Sequence, residues 1–520
     1  MLLGLALIAL ANIDAAAQNT VHFTIDAGEN VRPISRLIYG VNQSLGGPLA
    51  NLTFTRFGGN RTTAYNWITN ASNAGKDYLY QSDAMFTGGN TPGGALIPVL
   101  SNAYDQDAGA LITISIVGYV AGDEAGPVDI HDPGRFTRRF KREAPSKGAA
   151  FSLTPDPAAP VVYQDEFVNW VKTNYAYGQS DPNRPIYFAL DNEPDIWAET
   201  HPEVHPDKLT YAELMQKTIA YSKAIKNVEP RAYIYGPVNY GWGGMVDLQK
   251  APDAGGRDFE TFYLHGLAAA SKAAGKRLID VLDIHWYPEA TGGKVRIIGT
   301  ETTPDVVAAR LQAPRSLWDP TYVETSWVTQ SSTHGPIDLI PMLQKKIASN
   351  FPGTRLSFSE YNYGGGNDIS GGIAEADVLG IFGKMGVFSA NEWPTAAKEP
   401  FIAGAMAMFR NFDGHKSSFG DTSVSATADD VADTSIYASI DSRDRQRMIV
   451  VAINKSAHPI TAMMQLKGEK FLRGAEVYQL TRAKSEPVPA GNLSTNDWGN
   501  CVYIMPPYSV STIRFLIFPR

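Results

Sequence analysis

The chain is poor in the features that would mark most alternative functions. It holds a single cysteine, Cys501, among 520 residues, which excludes an intrachain disulfide and any CxxC metal or redox motif. Charged residues make up 19% and the formal net charge is −8, so neither nucleic acid nor an anionic membrane is an expected partner. The basic run Arg135 to Glu143 (RFTRRFKRE) reads as a solvated loop or helix. No GxSxG elbow occurs, which removes the commonest esterase signature. The glycine-rich stretch Tyr363 to Gly372 (YGGGNDISGG) has neither phosphate-loop spacing and reads as a sharp backbone turn. There is no solenoid repeat and no long low-complexity segment. The apolar start, MLLGLALIALANIDAAAQNT, is too short for a membrane helix and has no basic residues ahead of it. It reads as a secretory signal over residues 1–17 with Ala15 to Ala17 at the cleavage site, so a secreted protein, extracellular or periplasmic, is expected.

What the chain does have is 44% hydrophobic residues and length enough for two domains. From residue 34 to 412, eight short apolar runs alternate with helical patterns: SRLIYGVN, LTFTRFGGN, ALITISIVGYV, PIYFALDNEP, AYIYGPVNYGW, VLDIHWYPE, RLSFSEYN and GVFSANEW. That alternation predicts an α/β fold, a (β/α)8 barrel. From 413 to 520 the runs become short, alternating and separated by turns, which predicts an antiparallel β-sandwich. The early strand within 18–33 is expected to join it.

In such a barrel the residues at the C-terminal strand ends face the active site. Those positions are Arg56, Asn60, Asn192, Glu193, Asn239, His285, Tyr287, Glu360, Tyr361, Asn391, Glu392 and Trp393. Glu193 and Glu360 end the fourth and seventh runs, and a carboxylate ending a buried strand is costly unless it is paired or employed. Two carboxyls reaching one bond from two directions is the arrangement of glycoside hydrolysis. On that chemistry Glu193 is the general acid/base, its pKa raised by its partner's negative charge. Glu360 is the nucleophile, kept ionised by donors such as Tyr287 and Arg56, and Asn192 is placed to bond a sugar 2-hydroxyl. For any one such glutamate the alternative is a structural ion pair at the barrel mouth.

Four strings, FALDNEPDIW, DIHWYPE, LWDPTYVETSW and SFSEYNYGGGNDISGGIAEADVLGIFGKMGV, resemble glycoside hydrolase family 44, the endoglucanases and xyloglucanases. The likeness runs from YGVNQ through RFGGNRTTAYNW into the C-terminal domain. It implies a barrel plus sandwich, endo-cleavage of β-1,4-glucans with retention of configuration, Glu193 as acid/base and Glu360 as nucleophile. It also implies structural calcium in some members, for which Asp123 and Asp156 offer hard oxygen ligands. No cofactor is expected in the catalysis.

Other signals are weaker. Among nine tryptophans, Trp67, Trp242, Trp286, Trp327 and Trp393 could stack on sugars, with Trp327 and Trp393 the preferred substrate-binding candidates beside Arg56, Asn60, Asn192, His285 and Tyr287. Glu324 and Glu392 are reserve carboxylates. HPEVHP (His201 to Pro206) is broken by prolines and is not HExxH, so a loop bordering the cleft is expected rather than a metal site. The expected partner is a β-glucan, and the expected state a monomer. Rival readings are an exo-acting glycosidase such as an arabinofuranosidase and a non-catalytic carbohydrate-binding protein.

Overall fold

A computed structural model describes residues 19–42, 51–86, 89–443, 447–467, 472–496 and 499–517; the signal-like segment lies outside the described residues. Eight parallel strands close into a barrel in chain order: Gly40–Val41, Phe54–Phe57, Gly109–Ile114, Ile186–Leu190, Ile234–Asn239, Val281–Trp286, Arg355–Tyr361 and Ser389–Glu392. Each of the eight apolar runs supplies one strand. They read as continuous hydrophobic runs because a barrel strand is covered on both faces, by the barrel interior and by the outer helices. Gly109–Ile114, for example, is buried at every position.

Helices follow most of the strands, and their ends carry the expected signals. Thr210 caps Tyr211–Val228 by accepting from the Glu213 N–H, and Gly386 ends Ile369–Met385 in the left-handed conformation that glycine allows. The N-terminal end of the barrel is plugged. Leu37, Phe54, Leu111, Ala189, Tyr235, Val238 and Val281 form one buried apolar cluster. The Tyr187 and Tyr233 rings stack below it at 4.8 Å, and Arg355 lies over Tyr233 and Phe388. Tyr187, Tyr233, Arg355 and Phe388 lie at or next to the starts of their strands, whereas Arg56, Asn192, Glu193, His285 and Glu360 lie toward the opposite ends.

Ten further strands form a second sheet system, a sandwich whose inner faces bury Phe23, Ile25, Val450, Ile513 and Phe515, and the others make three small sheets of two or three strands. Strand Asn19–Asp26 lies inside it, antiparallel to Thr422–Ala428 and parallel to Ile460–Lys467. That parallel pairing departs from the expected all-antiparallel pattern. The strand arrives from the far end of the chain, so no hairpin dictates its direction. Barrel and sandwich meet across helices Ile369–Met385 and Pro400–Arg410. There Gly380 admits the Tyr437 ring where a Cβ would sit 2.2 Å from it, and Asp377 holds both the Tyr437 hydroxyl and Lys455 at 2.5 and 2.7 Å. Among the described residues no helix is long and apolar enough to cross a membrane.

Candidate active site

The chain leaves barrel strand four through two left-handed residues, Asp191 (φ 67°) and Glu193 (φ 46°). Such geometry in non-glycine residues costs on the order of 1–3 kcal/mol each and persists only where the surroundings impose it. Here the fully buried Asp191 imposes it: its carboxylate accepts from Thr63 Oγ1, the Ile116 N–H and the Asn192 N–H at 2.6, 2.6 and 2.9 Å. The kink turns Glu193 inward. On strand seven a bulge has the same effect, because pairing with strand six slips by one residue between Phe358 and Glu360 and sets Glu360 opposite His285.

An oxygen of Glu193 and an oxygen of Glu360 consequently lie within 4.8 Å of one another. Their surroundings differ. Arg56, wholly buried, donates from Nη1 to Glu360 Oε1 at 2.6 Å and from Nη2 to Asn192 Oδ1 at 2.7 Å. Tyr287 donates its hydroxyl to Glu360 Oε2 at 2.8 Å. Gly58 makes room for the guanidinium, since a Cβ there would stand 2.4 Å from Arg56 Cζ. Glu193, its side chain 14% exposed, has His285 Nδ1 at 2.7 Å. Burial pushes its pKa from the ordinary carboxyl range up to about 8; Arg56 opposes this and Asp77 adds to it. The expected cause, the charge of the partner glutamate, is thus replaced by loss of water, because Arg56 stands against the Glu360 charge at contact distance. His285 is fully buried, and desolvation lowers it to about 4, so the imidazole is neutral at neutral pH.

Glu193, Glu360, Arg56, Asn192, His285 and Tyr287 therefore form one hydrogen-bonded group. Asn60 does not join it through its side chain, whose Nδ2 donates to the Ala74 carbonyl. Trp393 follows strand eight with its ring against Gly59, where a Cβ would stand 2.5 Å from the ring. Trp327 is 47% exposed in the segment between strands six and seven. Trp67 is no cleft wall: it is wholly buried and stacks on Phe167 at 5.2 Å. Tyr361 turns away to donate to Glu375. Glu324 is buried and accepts from Ser316, and Glu392 is wholly buried. In HPEVHP, His201 contacts Glu203 at 2.6 Å and the Asn60 carbonyl at 2.9 Å, while His205 contacts Glu213 at 3.0 Å.

Asp123 takes up the Arg139 guanidinium at 2.7 and 3.0 Å, and Asp156 accepts from the Ala158 N–H. Neither belongs to a cluster of three or more metal-capable groups among the described residues. The cluster of that kind is Glu193, His285 and Glu360, where Arg56 already supplies a cation to Glu360. One site residue escaped the sequence reading. Asn42 accepts from Arg56 Nη1 at 3.1 Å and donates to the Ser359 carbonyl at 2.9 Å, tying strand one to strand seven. Its signal was available, for it ends the first apolar run.

A (β/α)8 barrel that presents two facing carboxyls, one paired with a cation and one desolvated, describes the class of barrel glycoside hydrolases. The chain matches the sequence model of glycoside hydrolase family 44 over residues 71–290. It is 41% identical over 515 residues to Endoglucanase A of Paenibacillus lautus, covering 96% of this chain and 73% of that one. Among solved structures it resembles a family 44 xyloglucanase from Paenibacillus polymyxa, with a TM-score of 0.92 and 36% identity over 96% of this chain and 100% of that one. A family 44 endoglucanase from Clostridium thermocellum gives a TM-score of 0.91 and 40% identity, with the same coverages. The chain belongs to glycoside hydrolase family 44.

Proposed function

We propose that the protein is a retaining endo-β-1,4-glucanase in which Glu193 is the acid/base and Glu360 the nucleophile. The observation that carries this is the pair itself. Its oxygens lie within 4.8 Å, nearer the roughly 5–5.5 Å of retaining enzymes than the roughly 6.5–9.5 Å that leaves room for water in inverting ones.

In the first step Glu193, protonated, gives its proton to the glycosidic oxygen while Glu360 attacks the anomeric carbon. The C–O bond to the leaving chain breaks and a glycosyl ester forms. Arg56 and Tyr287 favour the carboxylate form of Glu360 before attack and accept its return as leaving group in the second step. Glu193, now ionised, takes a proton from water, and the water oxygen attacks the anomeric carbon and frees Glu360. Asn192, with Oδ1 held by Arg56, directs its amide NH2 toward the sugar 2-hydroxyl. His285, neutral, keeps Glu193 in place without adding a charge. Both steps use two carboxyls and one water and call for no cofactor.

The substrate class follows from the relatives, one named an endoglucanase and another a xyloglucanase: cellulose-like glucans and xyloglucan, with xylan and mixed-linkage glucan as further candidates. Trp393 and Trp327 serve as stacking surfaces. The same reading takes 34–412 as the catalytic unit, 413–520 with 18–33 as its supporting sandwich, and a secreted monomer as the working form. Simultaneous measurement of viscosity and reducing ends on carboxymethylcellulose, xyloglucan, xylan and arabinan tests it. An early viscosity drop with few new ends on a β-1,4-glucan is the expected result. Monosaccharide release without loss of viscosity would instead identify a trimming glycosidase, and binding without cleavage a carbohydrate-binding protein.

A further inference from the structure

A second carboxyl pair lies behind the cleft. Glu392 ends barrel strand eight and Glu399 precedes helix Pro400–Arg410; both are 0% exposed. Asn362, two residues beyond Glu360 and equally buried, donates from its one amide nitrogen to Glu392 Oε1 at 2.6 Å, to Glu399 Oε2 at 3.1 Å and to the Trp393 carbonyl at 2.9 Å. Glu399 Oε1 accepts from the N–H and the hydroxyl of Thr395 at 3.1 and 3.0 Å, whereas Glu392 Oε2 has no donor. The other titratable groups facing Glu392 are Glu375, whose Oε1 accepts from the Tyr361 hydroxyl at 2.8 Å, Tyr361 itself and Tyr287. Among the described residues no lysine, arginine or histidine forms an ion pair with Glu392, Glu399 or Glu375.

Two buried anions sharing one nitrogen, with no cation beside them, are too costly to persist. One proton must be present, and the unequal donor sets locate it. Glu399, with three donors, bears the charge, and Glu392, with an oxygen no donor reaches, bears the proton. Burial and the neighbouring carboxyls of Glu399 and Glu375 push Glu392 well above the ordinary range, in the same sense.

We propose that Glu392 and Glu399 share one proton, and that the pair is a positioning element that fixes Asn362 and, through it, the Trp393 platform beside the nucleophile strand. Trp393 is held from both sides of its backbone, its N–H on the Tyr361 carbonyl at 3.0 Å and its carbonyl on Asn362. Loss of the shared proton sets two charges against each other behind strand eight and shifts that platform. This assignment rests on the glucan-cleft reading above.

The test compares kcat and KM on soluble xyloglucan from neutral to alkaline pH in wild type, Glu392→Gln, Glu399→Gln and Glu392→Ala. The expected wild-type KM rises about tenfold as the proton is lost, the scale of one aromatic contact. Glu392→Gln, whose amide donates to Glu399 at every pH, keeps KM flat while the kcat limb set by Glu193 stays where it was. Glu392→Ala raises KM at all pH values. Where Glu392→Gln does not fold, Glu399→Gln gives the same flat KM. Coincident KM–pH profiles in wild type and the glutamine variants, or a wild-type KM in Glu392→Ala, overturn the assignment. An infrared difference between wild type and Glu392→Gln at neutral pH needs no activity. A buried protonated carboxyl that is lost in the variant supports the shared proton, and its absence refutes it even if the wild type cleaves no glucan.

Discussion

On the strand-seven side of the barrel mouth, Glu360 receives a guanidinium N–H and a phenolic O–H, both within 3 Å. On the strand-four side, Glu193 meets a neutral imidazole and little water. The two side chains are chemically identical, and the proposed division of labour comes entirely from what surrounds them. Donors suit one to an anion, and desolvation suits the other to a neutral acid. At under 5 Å two like charges would repel strongly, so the contrast is also what lets the pair sit so close.

The comparison breaks most visibly at the glutamates themselves. Glu193→Gln and Glu360→Gln should each lower kcat on a glucan about a thousandfold, the scale of losing an acid or a nucleophile. The two variants should then part on an aryl glycoside with a good leaving group. The acid variant recovers its first step, because that leaving group needs no proton, and the nucleophile variant does not. Equal losses on both substrates would erase the distinction.

Arg56→Met removes the cation from the anionic side only. It should lower kcat about a hundredfold and destabilise the fold by about 3–5 kcal/mol, since a buried carboxylate loses its partner. Activity on purified variant and the urea midpoint read these two effects. A variant as active and stable as wild type would mean that the ion pair is ornamental.

The acid side sharpens through pH. Glu193 titrates near 8, so kcat/KM should fall as pH rises through about 8, where the free enzyme loses its proton donor. Stability is linked to the same proton. Between the ordinary carboxyl value of 4.5 and about 8 the folded state keeps a proton that the unfolded state has released, so Glu193 costs more stability as pH rises through that window. Glu193→Gln should therefore gain stability over wild type between pH 4.5 and 8, with no further gain above. Parallel melting curves against pH measure it, and a constant difference would place the titration elsewhere.

Much of this was legible in the chain, because a barrel strand reads as a continuous apolar run and its C-terminal end faces the barrel mouth. YFALDNE and RLSFSEY therefore announce both strand and carboxylate, and the eight runs correspond one to one with the eight strands. What escaped depends on neighbours distant in sequence. That burial rather than charge raises Glu193, that Asn42 braces Arg56, and that Glu392 faces Glu399 instead of the cleft are facts of closure, fixed only when the barrel is complete. The parallel insertion of Asn19–Asp26 beside Ile460–Lys467 is likewise invisible to local pattern. Among the aromatic residues, position at a strand end already set Trp393 apart from Trp67, and packing adds that the first lies against Gly59 and the second against Phe167.

The central claim is that Glu360 attacks the sugar while Glu193 protonates the departing oxygen. Proton NMR of the anomeric signals during early hydrolysis of a soluble cello-oligosaccharide tests it most directly. The β-anomer should form first and the α-anomer only later by mutarotation, because two displacements at one carbon restore its configuration. An α-anomer formed first would mean a single displacement by water, and would contradict the nucleophilic role of Glu360.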